Sequence, residues 1–417
     1  MKTNRINIPN LIGHLRTDGP VILLESQMPD HPSSTKSYVA ASASAWIKAR
    51  GDKIIMFSKG KKNKFSGDPW LALSEFYNAH RDWMFGYLGY DLKNYLENLE
   101  SSNQPVEDAP DLFFFTPELL VEFDKDYNCK LLKGELPEFE NSSYAPSDFK
   151  LKPAKSIDRQ NYQDKIRLAQ KDIYEGEYYE INLSHPLEFH FEGAGLDLYE
   201  KMKKLGPVPF GAYMSFDGYE VCSSSPERFL GRSGNKAWSQ PIKGTAPKSG
   251  GVESARRLAE SEKERAENLM IVDLVRNDLN RIAEKGSVKV SGLFEIQSFE
   301  TVYQMVSTVE CTLPEDTDSI ELIKSCFPMG SMTGAPKIAA MKAIDNNEEY
   351  KRGIYSGALG YFSPNGDFDL NVIIRTAVIE GNKLVYPVGG AITSDSDPEQ
   401  EWEETMLKAK AITDLFS

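Results

Sequence analysis

The sequence predicts an α+β fold in which antiparallel sheet is covered by helices, and two observations support this prediction. Apolar-rich runs are joined in pairs by the dipeptides Asp217-Gly218, Asn365-Gly366 and Gly381-Asn382. Asp-Gly and Asn-Gly are typical of the tight turns between neighbouring antiparallel strands. Long helical patterns over about 254–284 and 398–414 provide the cover for such a sheet.

The N-terminal part contains short β-like runs, VILLES from Val21 and LFFF from Leu112, separated by polar segments. Two stretches rich in Pro, Ser, Asn and acidic residues, Leu96 to Asp111 and Gly134 to Ser156, are typical of loops. We take the second stretch as the boundary between an N-terminal region, residues 1–150, and a C-terminal region, residues 151–417.

A helix is predicted directly after that boundary, from Asp158 to about Gly176. Its apolar positions recur at three- and four-residue spacing: Tyr162, Ile166, Ala169 and Ile173. The following segment, EYYEINLSHPLEFHF, reads as a strand, and the runs GAYMSF and EVCSSS form the first of the predicted hairpins.

The composition limits the classes of function. The 48 Lys and Arg residues stand against 62 Asp and Glu residues, so the chain of 417 residues carries a net charge of -14 and would repel nucleic acid. The first residues have no apolar signal region and no run approaches the roughly 20 apolar residues of a membrane helix, so we expect a cytoplasmic protein. The four cysteines lie far apart, which argues against zinc and disulfides.

Two pairs of glutamates recur at a spacing of three on predicted helices, Glu264 with Glu267 and Glu401 with Glu404. Residues three apart share a helix face, so two such pairs could meet across a Mg²⁺ ion, which prefers oxygen ligands. All five histidines lie within the first 190 residues, so chemistry in the C-terminal half would use carboxylates, lysines and metal. On spacing alone, a solvated helix face explains the same pairs.

The segment FPMGSMTGAPKIAAMKAID predicts a glycine-containing loop followed by a helix, with Thr333 as N-cap and Pro336 in the first turn. Backbone N–H groups at such a start suit an anion. The pattern is not a Walker loop. An ordinary capped helix is the alternative.

Two further segments contain isolated charges in apolar surroundings. The run FDLNVIIRTAVI predicts one strand that places Arg375 on the same face as Asp369, where it needs either a bound anion or a structural salt bridge. In SSSPERF and QPIKGTAPKSG, Glu227 and Lys243 stand at either end of a strand-turn-strand unit. Burial could depress the pKa of Lys243 and make it a nucleophile beside an acidic Glu227, although an exposed lysine is the common case.

Several of these segments, in one order and spacing, resemble the chorismate-utilising enzyme family. They are SPERF, PIKGT, ERAENLMIVDLVRNDL, GSMTGAPK, GALGYFS, IIRTA, GGAI and the final ExxET-xx-KA. The resemblance is dense over roughly residues 155–417. It implies two antiparallel sheets that form a sandwich flanked by helices, with residues 151–417 as the chorismate-binding catalytic region and residues 1–150 contributing to the same sandwich.

The resemblance also implies roles for individual residues. Glu267 and Glu404 correspond to Mg²⁺ ligands, with Glu264 and Glu401 as direct or water-mediated partners. The positions that hold chorismate in the family correspond here to Gly244, Thr245, Thr333, Tyr355, Arg375, Gly389, Gly390, Ala391 and Lys408. No glutaminase signature is visible, so the family pattern implies ammonia from a separate class I glutamine amidotransferase subunit.

The residue before the Gly-Thr pair separates the branches of the family: relatives that resemble anthranilate synthases have Ala, whereas the aminodeoxychorismate branch has Lys, as Lys243 here. The implied reaction adds the Lys243 amine at C2 of chorismate with Glu227 as general acid. Ammonia then attacks C4 and expels the lysine, giving 4-amino-4-deoxychorismate of the para-aminobenzoate and folate branch. Anthranilate formation and a catalytically silent chorismate-binding subunit are the alternatives.

Three details bear on this branch assignment. Glu180 stands where relatives often have Gln, or Lys in the enzymes that add water, so we expect no water addition and a carboxylate able to accept an N–H of ammonia. Gln304 stands where many relatives have His, which argues against loss of pyruvate. LLES, from Leu23 to Ser26, and Pro209-Phe210 weakly resemble the tryptophan-binding elements of the family, although strand packing explains them equally.

Overall fold

The computed structural model describes residues 6–33, 36–139 and 141–416 of the chain. The α-helices within these ranges are α1 (Ile8–Leu15), α2 (Pro69–His80), α3 (Arg159–Glu175), α4 (Gly195–Leu205), α5 (Gly251–Glu260), α6 (Glu262–Asn280), α7 (Ser319–Cys326), α8 (Lys337–Asn347) and α9 (Pro398–Thr413). Of these helices, none is long and apolar enough to span a membrane.

The strands outnumber the helices. Those of the N-terminal part are β1 (Val21–Glu25), β2 (Ser37–Arg50), β3 (Lys53–Ser58), β4 (Lys61–Ser66), β5 (Met84–Leu88), β6 (Leu112–Phe123), β7 (Cys129–Lys133) and β8 (Lys150–Ser156). Those of the C-terminal part are β9 (Glu180–Glu192), β10 (Phe210–Phe216), β11 (Tyr219–Ser225), β12 (Arg228–Ser233), β13 (Lys236–Gln240), β14 (Ile242–Pro247), β15 (Lys289–Ser298), β16 (Val302–Thr312), β17 (Gly334–Ala335), β18 (Ala358–Phe362), β19 (Phe368–Val372), β20 (Thr376–Glu380) and β21 (Lys383–Ile392).

The strand ladders confirm the antiparallel α+β prediction. Every ladder in the described ranges is antiparallel, and together the ladders join the strands into one hydrogen-bonded network. The network is continuous because long strands change neighbours along their length: β2 pairs with β1 through Tyr38–Ala41 and with β3 through Ala45–Arg50. The change follows Ser42, whose φ of 54° bends the strand.

Alternate residues of the same strands face different clusters of buried side chains, which defines the layers of the sandwich. In β6, Phe113 and Phe115 belong to a cluster shared with β1, β10 and β18, whereas Leu112 and Phe114 belong to a cluster shared with α2, α6 and α7. In β10, Tyr213 faces a third cluster beneath α1, α4 and α9. The cluster of Phe113 and Phe115 therefore lies between two sheet layers, and helices cover both outer faces.

The N-terminal strands are interleaved with the C-terminal ones, since β1 pairs with β10 and β5 with β18. The stretch from Gly134 to Ser156 was predicted to be a loop, which is wrong for its end. Lys150–Ser156 forms β8, which pairs with the outer half of β9 in a register that runs from Lys150 opposite Glu192 to Ser156 opposite Leu187. Glu140, within the same stretch, lies outside the described residues.

The three predicted hairpin turns are present at the expected positions. Asp217 and Gly218 join β10 to β11 with φ angles of 46° and 88°, the left-handed pair that a two-residue turn of this kind requires. Gly366 and Gly381 adopt positive φ in the turns between β18 and β19 and between β20 and β21. Local turn chemistry thus fixes the register of these three hairpins.

The helix predictions succeed where a side-chain cap is available. Helix α3 is capped by Asp158 and ends at Gly176 in the left-handed conformation, and α9 is capped by Asp397. The single helix predicted over about 254–284 is wrong, because Ser261 adopts an extended conformation (ψ 110°) and its hydroxyl caps a new helix, α6. This break directs α6, and with it Glu264 and Glu267, separately from α5.

The run FDLNVIIRTAVI is two strands and not the single strand predicted. Strand β19 ends at Val372 and pairs with β12 and β18, whereas β20 begins at Thr376 and pairs with β11 and β21. Between them Arg375 adopts a φ of 51°. The predicted alternation that placed Arg375 on the face of Asp369 therefore does not hold, because the backbone turns before Arg375 is reached.

Candidate active site

Lys243 is the second residue of β14 and points into the protein, with 9% of its surface exposed. Its Nζ donates a hydrogen bond of 2.7 Å to Oε1 of Glu180, the first residue of β9. Burial lowers the pKa of Lys243, but attraction to the Glu180 and Glu267 carboxylates and the hydrogen bond outweigh burial, so the pKa lies above its ordinary value. Burial therefore does not leave the pKa of Lys243 depressed, the possibility that the sequence left open, and the exposed lysine considered as the alternative is not found either.

Glu180 is 1% exposed, and only one of its two carboxylate oxygens accepts a hydrogen bond from the described residues. Oε1 accepts from Lys243, whereas Oε2 has no hydrogen-bond partner among the described residues. The backbone of Glu180 is held by β17, through pairing with Ala335. Sequence reasoning noted Glu180 as unusual but did not anticipate the ion pair, because the two residues lie 63 positions apart.

Glu227 lies in the short connection between β11 and β12 and is 5% exposed. Burial raises its pKa to about 7, against the lowering influence of Ser331, of Lys243 and of Arg375. A small cleft lies beside it, lined also by Pro241, Gly330 and Ser331. The Glu227 carboxyl can therefore hold a proton near neutral pH.

Arg375 occupies the turn between β19 and β20 and is half-buried. Of the described residues, none places a carboxylate oxygen within 4.0 Å of its guanidinium, so the structural salt bridge considered as an alternative is not formed. Burial lowers the pKa of Arg375, and Tyr386 and Glu227 nearby oppose that effect. A half-buried guanidinium without a counter-ion is suited to bind an anion.

The two glutamate pairs lie close together, as the family resemblance implied. Lys263 Nζ lies 3.9 Å from Glu267 Oε1 on α6 and 3.8 Å from Glu401 Oε1 on α9, so the two helices meet at this point. Lys408 Nζ contacts Glu404 at 2.7 Å and also donates to the Gly389 carbonyl at 2.8 Å.

Two glycines allow these carboxylates to approach the strands. A Cβ atom on Gly244, which has a φ of 83°, would lie 2.8 Å from Glu264 Oε2. A Cβ on Gly390 would lie 3.4 Å from Glu401 Oε2 and 4.0 Å from Glu404 Oε1. The absence of a side chain at both positions leaves room for these carboxylates beside the strand backbone, and Gly244 directly follows Lys243 in β14.

The donor set fits a hard divalent cation. Burial raises the pKa of Glu267 to about 7 and also raises the pKa values of Glu264 and Glu401, because carboxylates gathered away from water disfavour their charged forms. As placed, no three His, Cys, Asp or Glu side chains in the described ranges lie close enough together to bind one metal ion. The Nζ atom of Lys263 lies between the carboxylates of Glu267 and Glu401. The carboxylate oxygens of the four glutamates are ligands of the type that Mg²⁺ prefers.

The remaining residues implied to bind substrate gather around β9. Gly389, Gly390 and Ala391 of β21 pair with Ser184, Leu183 and Asn182 of β9. The Thr333 carbonyl accepts from the Asn182 amide at 2.8 Å. Tyr355 is buried and, with Tyr386, lies on the Arg375 side of the site.

Thr333 is not the helix N-cap that the sequence predicted. Pro336 occupies that position at the start of α8, and the Thr333 hydroxyl donates instead to the carbonyls of Met329 and Gly330. The reason is β17, whose two residues pair with β9 before the helix begins. Thr333 thus belongs to a loop fastened to the active-site strand.

Gln304 and Thr245 face each other across the β14–β16 ladder. The Gln304 amide donates to the Thr245 hydroxyl at 3.5 Å, and its Oε1 is buried without a partner among the described residues. Thr245 itself is exposed at the edge of the site. The pair places the Gln304 amide opposite a residue that lies two positions after Lys243 in β14.

A buried ion pair that sequence reasoning missed connects β9 to the loop that contains Met332. Arg352 and Glu348 are 1% and 2% exposed, and Arg352 Nη2 contacts Glu348 Oε1 at 2.6 Å. Arg352 also donates to the carbonyls of Met332 and Asn182, while Glu348 accepts from the Ser184 amide and hydroxyl. Glu348 and Arg352 are spaced four apart, as in many helices, and that spacing was the only available signal.

A second cleft is lined by Leu24, Glu25 and Ser26 of the LLES segment and by Pro209 and Phe210. The two segments that weakly resemble tryptophan-binding elements thus line one cleft.

Similarity to known proteins extends over most of the chain. The family model described as chorismate binding enzyme matches residues 19–414. The chain is 46% identical over 265 residues to the aminodeoxychorismate synthase of Streptomyces griseus, covering 62% of this chain and 36% of that protein. The chain therefore spans about a third of the length of that relative.

Other relatives match over most of their length. Aminodeoxychorismate synthase component 1 of Escherichia coli (strain K12) is 31% identical, with 94% of this chain and 92% of that protein covered. Anthranilate synthase component 1 of Aquifex aeolicus is 32% identical, with 94% and 88% covered. The crystal structure of anthranilate synthase component I from Streptococcus pneumoniae TIGR4 superposes with a TM-score of 0.80 at 27% identity, covering 91% of this chain and 92% of that one. The chain belongs to the chorismate binding enzyme family.

Proposed function

We propose that this protein replaces the 4-hydroxyl of chorismate with ammonia, giving 4-amino-4-deoxychorismate through a covalent adduct on Lys243. The observation that most supports this proposal is the buried Lys243 amine, held by Glu180 at 2.7 Å in the same cluster of charges as Glu227 and the two glutamate pairs. A protein that only bound chorismate would need no buried amine at this position.

Arg375 supports the binding of an anionic substrate. Its guanidinium lies at the site without a carboxylate partner among the described residues, and can donate hydrogen bonds to one carboxylate of chorismate. Thr333, Tyr355 and the Gly389–Ala391 strand line the same region. In this arrangement the protein would orient a dianion with its ring toward Lys243.

We propose Mg²⁺ as the cofactor, held by Glu267 and Glu404 with Glu264 and Glu401 as direct or water-mediated partners. When bound, it supplies positive charge that offsets a substrate carboxylate. The raised pKa of Glu267, about 7, supports this assignment because a cation would allow the buried carboxylates to be ionised together.

The reaction then divides between two side chains. The neutral Lys243 amine forms a bond to C2, both conjugated ring double bonds shift by one position, and the C4–O bond breaks as Glu227 gives its proton to the departing hydroxyl, which leaves as water. Ammonia adds at C4, both double bonds shift back, and the C2–N bond breaks with its electron pair returning to Lys243. Glu227 regains a proton from the new ammonium group. The enolpyruvyl group is retained, so no pyruvate is formed.

We also propose that ammonia comes from a separate class I glutamine amidotransferase subunit. The names of the Escherichia coli and Salmonella typhimurium relatives, aminodeoxychorismate synthase component 1, support a second component. The four cysteines do not offer a glutaminase nucleophile, since Cys222, Cys311 and Cys326 are buried and Cys129 is exposed on β7 without a nearby histidine in the sequence. Failure of glutamine to support turnover with a cognate glutaminase would count against this partner.

Product identity tests the proposed function. The protein is incubated with chorismate, Mg²⁺ and ammonium, and the products are separated and identified by mass. We expect 4-amino-4-deoxychorismate, which an added lyase converts to para-aminobenzoate, and no pyruvate without that lyase. Fluorescent anthranilate and pyruvate from the protein alone would instead assign it to the reaction named for the Aquifex aeolicus relative.

A further inference from the structure

The Lys243–Glu180 ion pair creates a requirement that the proposed reaction has to meet. A nucleophilic amine needs a lone pair, but Lys243 is held in its charged form by neighbouring carboxylates. The Lys243 residue is only 9% exposed, which restricts passage of its proton to bulk water. An acceptor must therefore lie within hydrogen-bond reach of Nζ.

Glu180 is the carboxylate that meets this condition. Its Oε1 lies 2.7 Å from Nζ, and it is the one ion-pair partner of Lys243 within 4.0 Å in the part of the chain that the structure describes. Other acidic groups also face Lys243 without direct contact, and they come from three elements: Glu264 and Glu267 on α6, Glu404 on α9, and Glu227 between β11 and β12.

The surroundings of Glu180 favour transfer in both directions. It is 1% exposed, and Oε2 has no partner among the described residues, so no second donor holds the carboxylate in its charged form. Moving the proton from Nζ to Oε1 turns a buried ion pair into two neutral groups and leaves the net charge of the site unchanged. Exclusion of water by bound substrate lowers the local dielectric constant and shifts this balance toward the neutral pair.

We propose that Glu180 is a catalytic residue that accepts a proton from Lys243 before the amine attacks and returns it after the amine departs. The transfer yields neutral Lys243 and protonated Glu180. The amine attacks C2 and becomes a secondary ammonium group; when the C2–N bond breaks, the electron pair returns to nitrogen and Lys243 is again a neutral amine. Glu180 then restores its proton. This proposal rests on the proposed function.

The test is Glu180→Gln, with Glu188→Gln as the matched control. Glu188 lies on the same strand, β9, and is also ion-paired to a lysine, Lys383, at 2.6 Å, but lies toward the opposite end of the strand. Glutamine keeps the size of the side chain and its hydrogen-bonding capacity but cannot take up the proton. We expect kcat of Glu180→Gln to fall about 100-fold near pH 7, with KM for chorismate changed by less than about threefold. Glu188→Gln should match the wild type.

A pH profile separates this role from a structural one. Turnover is measured at constant free ammonia between about pH 7 and 9, and the ratio of Glu180→Gln to wild type is compared. Because Lys243 of the variant must lose its proton to solvent, that ratio should rise toward tenfold for each pH unit. A ratio that stays constant would mean that Glu180 only supports the site, and would overturn the proposal, as would a loss of less than about threefold.

A third measurement does not depend on turnover. Carbamylation of Lys243 by cyanate, followed by peptide mass spectrometry, reports how much neutral amine is present in the free protein. Removal of the Glu180 charge should speed the labelling of Lys243 several-fold, although it slows turnover, while the labelling of Lys93, which is 2% exposed, stays unchanged. General damage to the fold would instead speed the labelling of both lysines. Unchanged labelling would overturn the proposal. If the wild-type protein does not form 4-amino-4-deoxychorismate, the proposed function fails first, and that result appears before any variant is compared.

Discussion

Two buried ion pairs that both involve strand β9 have different surroundings. In the Arg352–Glu348 pair, the guanidinium contacts Glu348 through two nitrogens and also donates to the carbonyls of Met332 and Asn182. Glu348 in turn accepts from the amide and hydroxyl of Ser184. Nearly every donor and acceptor of this pair is therefore occupied.

The Lys243–Glu180 pair has one hydrogen bond and one carboxylate oxygen without a partner among the described residues. Around it, Glu227 and Glu267 have pKa values raised to about 7, and Arg375 has no carboxylate partner in the same ranges. Buried charges are costly unless they are paired and hydrogen-bonded. We infer from this difference that the Arg352–Glu348 pair stabilises the fold, whereas the Lys243–Glu180 pair has groups left to bind a ligand and to transfer a proton.

The largest effect should follow removal of the amine from the Lys243–Glu180 pair. Lys243→Ala should lower kcat by about 10³-fold or more, because covalent catalysis is lost, while chorismate binding changes only a few-fold. Steady-state kinetics and a chorismate binding titration provide the measurements. Lys289→Ala, at an exposed lysine of β15, is the control, and full turnover by Lys243→Ala would exclude the adduct.

Disruption of the Arg352–Glu348 pair should instead lower the stability of the fold. Arg352→Met should lower the free energy of unfolding by about 3–5 kcal/mol, because Glu348 is left buried without its partner. Chemical denaturation measures this change, and Arg352→Met combined with Glu348→Gln should recover part of it. Arg256→Met, which removes an exposed i,i+4 pair on α5, should have no measurable effect. Unaltered stability of Arg352→Met would mean that the comparison between the pairs is wrong.

The pH dependence of turnover tests whether Glu227, near the Lys243–Glu180 pair, holds the proton that it donates as general acid. Since burial raises the pKa of Glu227 to about 7, the general acid is present below about pH 7 and is lost as the pH rises through that value. At constant free ammonia, kcat/KM should therefore fall above pH 7. Glu227→Gln should lower kcat by about 10² and remove this alkaline limb. A wild-type profile identical in shape to that of Glu227→Gln would contradict the assignment.

The smallest effect concerns the two glutamate pairs and their proposed cation. Mg²⁺ should raise the thermal unfolding temperature by a few degrees, since a ligand that binds the folded state stabilises it. Glu404→Gln should reduce this increase, whereas Glu403→Gln, at the exposed neighbouring position of α9, should not. Differential scanning fluorimetry with and without Mg²⁺ measures both. Equal increases in the two variants would argue against a metal role for Glu404.

Much of this protein was predictable because the relevant interactions are local. The turns at Asp217-Gly218 and Gly381-Asn382 and the cap of α3 at Asp158 join residues within a few positions of each other, where residue type determines the backbone conformation. The approach of the two glutamate pairs was predictable only through family resemblance, since spacing alone fits a solvated helix face.

Long-range register decided the rest. The Lys243–Glu180 contact spans 63 residues and the Arg352–Asn182 contact spans 170, and both depend on which strands lie beside β9. The raised pKa of Lys243 and the turn at Arg375 follow from neighbours and strand partners that sequence periodicity cannot specify. The sequence by itself determined the turns, most of the helix ends, the family and the identity of the reactive groups. Only the tertiary structure decided the charge state of those groups, because burial and pairing act through space and not along the chain.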